Sequence, residues 1–194
     1  MELFRIMEVL RLNLDDKRFH HCVRVAEEAC KLAIHYKSNP EKAFLAGLLH
    51  DCAKACSSDK ILEIADSMKI NLTDVERSEP FVMLHGQVSA YIAENTYEIK
   101  DREVLQSIYR HQCVASDMTV LDNIIKLADI IEPGRMSERA QKVRELAYNN
   151  IAEALLCWTR MLIVEMIEKE FFIEPNMAAF YNQLLLQHAN SIKK

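Results

Sequence analysis

Apolar residues recur along much of this chain at the spacing of one face of an α-helix. The clearest case begins at Asp15 or Asp16, either of which can act as an N-cap, and continues through His21, Val25 and Leu32 on one stripe. Charged residues fall largely on the other side of this stretch. The pattern predicts an amphipathic helix in which His21 faces the core.

A second strong helix start is Asn39-Pro40-Glu41, where an N-cap residue precedes proline at the first helical position. The apolar run from Ala43 to Leu49 then leads directly into His50-Asp51, so this polar pair ends a buried segment. Similar signals predict further helices: one from Ser57, Ser58 or Asp59 to about Met68, one after Pro80 holding His85 and Ser89 on one face, one from Asp101 to near His111, one from Val120 to Ile131, a long region from Ser137 to about Lys169, and a final helix from Pro175-Asn176 through Leu186.

The composition favours helices throughout. Only 3 glycines and 4 prolines accompany an apolar content of 50%, and a protein of many strands needs more turn residues than that. A chain of 194 residues can bury a substantial core, and no internal repeat or flexible linker divides it. We therefore predict an all-α, single-domain helical bundle over residues 1–194, in which helices between 137 and 190 pack on the segment 21–129.

Charge and cysteine content narrow the classes of partner. The net charge of −5 and a pI near 5.8 give no basic surface for nucleic acid or for an acidic membrane, whereas a small anion remains a candidate if a metal supplies the positive field. The 6 cysteines form no CxxC pair, which indicates reduced thiols. Neither a signal-peptide core nor a membrane-spanning run is present, so we expect a cytoplasmic protein.

Six polar side chains in or beside apolar helical stretches need an explanation. A buried polar group without a partner destabilises a fold by about 1 to 3 kcal/mol. Taken alone, each would more often be a hydrogen-bonded core residue than a ligand. Together they favour a shared site for a divalent ion, because imidazole and carboxylate both bind Fe, Mn, Co or Zn. The six are His21, His50, Asp51, His85, His111 and Asp129.

The adjacent pair His50-Asp51 carries the most information. Consecutive residues diverge by roughly 100 degrees on a helix, so both can face one site only near the helix end. An aspartate there could bridge two ions that together polarise a phosphoryl group. Other notable residues receive no chemistry: His20, His35 and His188 are predicted at the surface, and Trp158 and Leu162 in core or homodimer packing.

The order of these residues resembles the H, HD, D signature of the HD phosphohydrolase superfamily. Within it, the surrounding sequence is similar to the bacterial symmetrical bis(5'-nucleosyl)-tetraphosphatases of the YqeK family, over nearly the whole chain. The matching words are Leu45-Ala-Gly-Leu-Leu-His-Asp51 with Lys54, Leu84-His-Gly86, Arg110-His111, Leu127-Ala-Asp-Ile-Ile-Glu-Pro-Gly-Arg135, and Ile173-Glu-Pro-Asn176 to Asn182.

The resemblance implies an HD-type helical fold and symmetrical hydrolysis of diadenosine tetraphosphate to two ADP molecules by a metal-activated water. It also implies two divalent ions, iron first and Mn, Co or Zn otherwise. One ion would be held by His21, His50 and Asp129 and the other by His85 and His111, with Asp51 linking them. Lys54 follows Asp51 by one helical turn, so we expect it to have a catalytic and substrate-binding role, and Arg135 can bind another phosphate through its guanidinium group. Arg24 and Arg18 are weaker candidates for substrate binding.

One departure leaves alternatives open. Relatives often follow the second added histidine with Thr-Thr-Gly, whereas this chain has Gln112-Cys113-Val114 after His111, so the nucleobase preference does not transfer directly. An HD-type nucleotidase acting on nucleoside monophosphates would use the same metals with a shorter pocket. A non-catalytic module that senses a nucleotide would bind it without turnover.

Overall fold

The computed structural model describes residues 1–173 and 176–192, and within them the chain is helical with no strand. The predicted all-α fold is confirmed. A 3-10 turn spans Cys52–Ala55, and the α-helices are α1 (Leu3–Asn13), α2 (Asp16–His35), α3 (Pro40–Leu49), α4 (Ser58–Ser67), α5 (Asp74–Ser78), α6 (Pro80–Met83), α7 (His85–Asn95), α8 (Arg102–Arg110), α9 (Val120–Ile131), α10 (Glu138–Ala147), α11 (Ile151–Glu168) and α12 (Met177–Ile192).

The predicted helix starts are built as N-caps. Asp15, Asn39, Ser57, Asp101 and Ser137 each accept hydrogen bonds from backbone N–H groups in the first turn of the helix that follows. These bonds satisfy donors that have no partner inside the helix. The caps therefore fix where each helix begins, and with it the position of every residue further along.

Four regions differ in detail from the sequence prediction. The helix expected after Pro80 is interrupted at Leu84 and continues as α7, which starts at His85. The long region after Ser137 is two helices, because the side chain of Asn150 caps α11 and ends the continuity with α10. Helices α1 and α5 were not anticipated from the sequence. Pro175, which was predicted to begin the last helix, lies outside the described residues.

The centre of the bundle is formed by α2, α3 and α9. Helices α2 and α3 approach so closely that a Cβ atom built on Gly47 would lie 2.9 Å from the Cα atom of Ala26. Glycine is therefore required at this crossing, since the neighbouring atoms belong to a helix backbone. The close contact brings the ends of α2 and α3 together, and with them His21 and His50.

The C-terminal helices cover α9. Helices α10 and α11 pack against it, and α12 packs against α11. Two tyrosines tie this layer to α2: Tyr148 donates to Glu28 over 2.7 Å, and Tyr36 donates to the carbonyl of Ala147 over 2.6 Å. Across the described residues, no helix is both long and apolar enough to cross a membrane.

Replacing Gly47 with alanine tests the crossing of α2 and α3. In an ordinary helix this change stabilises by roughly 0.5 to 1 kcal/mol. Here we expect it to lower the free energy of unfolding by about 1 to 3 kcal/mol, because the added methyl group would meet backbone atoms of α2. Thermal and denaturant unfolding measure the effect, and a stabilised variant would show that the two helices are not held this closely.

Candidate metal centre

The end of α3 presents His50 and Asp51 side by side. Both are buried, with 0% and 4% of the residue exposed. Directly after them, the backbone N–H of Ala53 donates to the hydroxyl of Ser89 over 3.1 Å, and the thiol of Cys52 donates to the carbonyl of Ser89 over 3.4 Å. These two bonds fasten the turn after α3 to α7, the helix that begins with the candidate ligand His85.

The two carboxylate oxygens of Asp51 face two different pairs of histidines. Oδ2 lies 3.8 Å from Nε2 of His21 and 3.6 Å from Nε2 of His50. Oδ1 lies 3.6 Å from Nε2 of His85 and 3.7 Å from Nε2 of His111. Each pair forms with Asp51 a buried group whose ligand atoms all lie within 4.8 Å of one another, as a single ion requires.

Asp129 lies beside the first of these groups. Its Oδ1 atom is 3.2 Å from Nε2 of His21 and 3.8 Å from Nε2 of His50. The side chain comes from α9 and is 26% exposed, so it meets the site from the solvent side. The structure thus brings together all six side chains that the sequence marks as candidate ligands.

The four imidazole rings are held in one orientation by the same kind of contact. Each ring places Nδ1 against an oxygen that can only accept a hydrogen bond, so Nδ1 carries the proton and Nε2 offers a lone pair. The acceptors are Glu132 Oε1 for His21 (3.2 Å), the Gly47 carbonyl for His50 (2.7 Å), the Val82 carbonyl for His85 (3.0 Å) and the Ile108 carbonyl for His111 (2.6 Å).

The lone pairs that result converge without protons between them. Nε2 of His85 and Nε2 of His111 lie 3.2 Å apart, although both are acceptors in this arrangement. The Nε2 atoms of His21 and His50 are buried and have no hydrogen-bond partner. Such a set is unfavourable unless a cation lies among the nitrogens, and divalent metal ions fit this donor set.

The protonation states agree with metal binding. Burial lowers the pKa of His50 to about 4 and that of His85 to about 3, so both rings are neutral near pH 7, as ligands must be. Burial alone would raise the pKa of the two aspartates. The surrounding groups, above all His50 for Asp51 and His21 for Asp129, instead hold the pKa of each carboxyl well below its usual range.

Two arginines reach the candidate aspartates directly. Arg18 donates to Oδ2 of Asp51 over 2.6 Å, and Arg135 donates to Oδ1 of Asp129 over 2.7 Å. Both guanidinium groups are partly exposed, at 35% and 44% of the side chain. Arg18, which the sequence ranked with Arg24 below Lys54 and Arg135, therefore contacts its aspartate as closely as Arg135 does.

The other two predicted substrate contacts are engaged elsewhere. Lys54 donates to the carbonyl of Phe81 over 3.2 Å, and its ammonium lies 4.1 Å from the centre of the Phe81 ring. Burial lowers the pKa of this lysine. Arg24 donates to Oε2 of Glu132 over 2.5 Å and so faces the back of the His21 ring. These contacts do not test the substrate-binding roles of Lys54 and Arg24, which stay predictions.

Glu132 is the residue that sequence reasoning overlooked. Only 2% of it is exposed, and it joins His21, Arg24 and the backbone N–H of Gly134. A carboxylate behind a ligating histidine fixes the ring and increases its basicity. The available signal was its place at the end of the buried run of α9, three residues after Asp129.

The remaining histidines follow the prediction in part. His20 and His35 are exposed, as expected for residues on the outer faces of α2. His188 is half-buried on α12, so it is less exposed than predicted. The six cysteines are free thiols, as their spacing indicated.

Glu132→Gln tests the support of His21. The amide keeps the shape of the side chain but removes the charge that orients the ring, so we expect the affinity for a divalent metal to fall by about 10- to 100-fold with little change in helix content. Metal titration and metal analysis of the purified protein measure this. Glu145→Gln is the matched control because Glu145 is exposed on α10. Equal metal affinity in both variants would contradict the role assigned to Glu132.

Comparison with known proteins gives relatives with consistent names. The chain is 36% identical over 149 residues to a Staphylococcus aureus protein named "Bis(5'-nucleosyl)-tetraphosphatase, symmetrical", covering 77% of this chain and 76% of that protein. A Halalkalibacterium halodurans protein of the same name is 31% identical, with 94% and 97% covered. A Mycoplasma genitalium protein named "Probable nicotinate-nucleotide adenylyltransferase/Ap4A hydrolase" is 34% identical over 78% of this chain. The match covers 44% of the length of that longer protein.

A solved structure and a family model agree with these relatives. A crystal structure from Clostridium acetobutylicum, described as a predicted HD superfamily hydrolase involved in NAD metabolism, matches with a TM-score of 0.92 at 33% identity, covering 96% of this chain and 98% of that one. The model of the HD domain matches residues 18–134, a range that includes all six candidate ligands. The chain therefore belongs to the HD domain family, and within it to the group of the symmetrical bis(5'-nucleosyl)-tetraphosphatases.

Proposed function

We propose that this protein hydrolyses diadenosine tetraphosphate symmetrically to two ADP molecules, with two divalent metal ions at the candidate centre. The observation that carries the proposal is the carboxylate of Asp51, whose two oxygens face two separate histidine pairs. The names of relatives that match over most of the chain support the same substrate. The metal dependence of the HD family supports the role of the ions.

The proposed ligand assignment follows the geometry. Asp51 would link the two ions, since each of its oxygens faces one histidine pair. His85 and His111 would hold one of them, and the lone pairs of these rings already converge. The remaining candidates would hold the other ion: His21, His50 and Asp129. We propose iron, with Mn, Co or Zn as the alternatives that this donor set also accepts.

The proposed reaction adds water to an internal phosphorus. A new P–O bond forms, the bridging P–O bond breaks, and ADP leaves with the electron pair and takes up a proton. Divalent ions in such a centre lower the pKa of water and stabilise charge on the phosphoryl oxygens. The protein supplies guanidinium groups beside the centre. Arg18 contacts Asp51 and Arg135 contacts Asp129, and a guanidinium group can bind phosphate.

Under this proposal, some cationic side chains would bind substrate directly, whereas Arg24 is held by Glu132. Arg135 and Lys54 would bind substrate phosphates, Lys54 after leaving the carbonyl of Phe81. Arg24 would act on substrate only if it left Glu132, which it contacts through both Nε and Nη2.

We propose that the whole chain forms one catalytic unit, because α10 packs against α9, the helix that carries Asp129. A small-molecule nucleotide is then the partner.

Product analysis tests the function. The protein is prepared without oxygen, its metal content is measured, and it is incubated with diadenosine tetraphosphate, ADP and AMP in parallel. We expect ADP as the one nucleotide product of the first and little reaction with the other two. Release of ATP and AMP would contradict symmetrical cleavage, preferred hydrolysis of AMP would favour a nucleotidase, and tight binding without turnover would favour a sensing module.

Asp51→Asn tests the bridging carboxylate. An amide offers one oxygen and no charge, so it cannot serve both histidine pairs, and we expect turnover to fall by more than about 100-fold. Metal content per chain should fall with it, while circular dichroism should show unchanged helix content. Asp59→Asn, on the exposed first turn of α4, is the matched control. Full activity and full metal content in Asp51→Asn would reject the assignment.

A further inference from the structure

Two cavities adjoin the candidate metal centre. The first has a volume of about 450 Å³ and contains Arg135 and Arg139 in its wall; we call it the arginine cavity. The second, of about 250 Å³, contains Lys126, His111 and Phe172; we call it the lysine cavity. Of these two cavities, the arginine cavity falls within the range of about 300 to 1,000 Å³ that is usual for small-molecule sites, and the lysine cavity lies just below it.

The two cavities share one wall and one meeting point. Asp129, Trp158 and Leu162 line both of them. Asp129 belongs to the candidate centre, so both cavities reach the place where the reaction would occur. Trp158 and Leu162, assigned to core or dimer packing from the sequence, pack on the core but also border this open space.

Each cavity has a cation close to the centre. Arg135 in the arginine cavity is paired with Asp129, and Arg139 behind it is paired with Glu165. In the lysine cavity, the ammonium of Lys126 donates to the carbonyl of His111 over 2.7 Å and lies 4.5 Å from the centre of the Trp158 ring. Both cavities thus place a positive group where a phosphate chain would enter.

Both cavities also have apolar and aromatic residues in their walls. Leu162 and Trp158 serve both cavities, and Met166 and Phe172 add to the lysine cavity. Purine rings bind to such surfaces by stacking and apolar contact, while the phosphates are bound by cations. Each cavity therefore combines a cation with an apolar and aromatic wall, the two kinds of surface that a nucleotide needs.

We propose that the two cavities hold the two nucleoside ends of one dinucleoside polyphosphate, whose phosphate chain passes Asp129 between them. This inference rests on the proposed function and deepens it. A substrate with a nucleoside in each cavity has the middle of its phosphate chain at the metal centre, which gives cleavage into equal halves. A mononucleotide would fill one cavity only.

The first test counts bound nucleotides. Metal-loaded protein is titrated with ADP by calorimetry, and we expect two ADP molecules per chain. Arg139→Trp blocks the arginine cavity and Met166→Trp blocks the lysine cavity, so each variant should bind one. Arg160→Trp is the matched control, since Arg160 is exposed on the same helix as Met166 and should leave two. Thermal unfolding verifies that each variant is folded.

The second test compares substrates with two nucleosides and with one. For diadenosine tetraphosphate, each blocking variant should lower kcat/KM by about tenfold or more, the loss expected when one stacked base is excluded. Adenosine 5'-tetraphosphate can place its single nucleoside in whichever cavity is open. Each blocking variant should therefore change its kcat/KM by less than about threefold, a difference too small for the loss of a stacked base.

The outcomes separate this inference from the proposed function. One ADP per wild-type chain, or a loss confined to one variant and equal for both substrates, would overturn the two-cavity assignment even if symmetrical hydrolysis is observed. Two ADP molecules per chain without turnover would uphold the assignment and reject the hydrolase. Two ADP molecules with the two-substrate pattern would uphold both.

Discussion

The fixed direction of four imidazole rings is the constraint on which the rest of this structure depends. Each Nδ1 proton is committed to an oxygen of the protein, so every Nε2 lone pair must face inward. Three of the four acceptors are backbone carbonyls three residues earlier in the chain. The ring direction is therefore determined by local helix geometry, and the protein needs few additional contacts to prepare the site for cations.

Only His21 departs from this rule, and its exception is informative. It lies within α2, where backbone carbonyls are occupied by the helix itself, so its Nδ1 proton requires a side-chain acceptor. Glu132 provides it, and Arg24 balances the buried carboxylate that results. The contacts of α2 with α9 thus include charged groups as well as apolar ones. These charged groups orient the candidate ligand His21.

Much of this arrangement could be predicted from the sequence, and the reasons are physical. N-caps such as Asp15 and Asn39 act through the next three residues, so they can be recognised locally, and the six candidate ligands stand out because polar groups interrupt apolar runs. The break at Asn150 was missed, although asparagine favours N-caps over helix interiors and Asn149 precedes it. Glu132 had a local signal in its place at the end of α9, but its contact with His21 depends on which helices meet. The same holds for the contact of Arg18 with Asp51 and for the space beside Trp158, and no local pattern encodes it.

The candidate ligands are far apart along the chain, from position 21 to position 129, and only His50 and Asp51 are neighbours. An unfolded chain therefore has no preformed site, and a metal bound by these residues would contribute its binding free energy to folding as a whole. In a cell short of the metal, the protein would lose part of its free energy of unfolding as well as its activity. Metal supply would then govern how long each molecule survives proteolysis, as well as how fast it works.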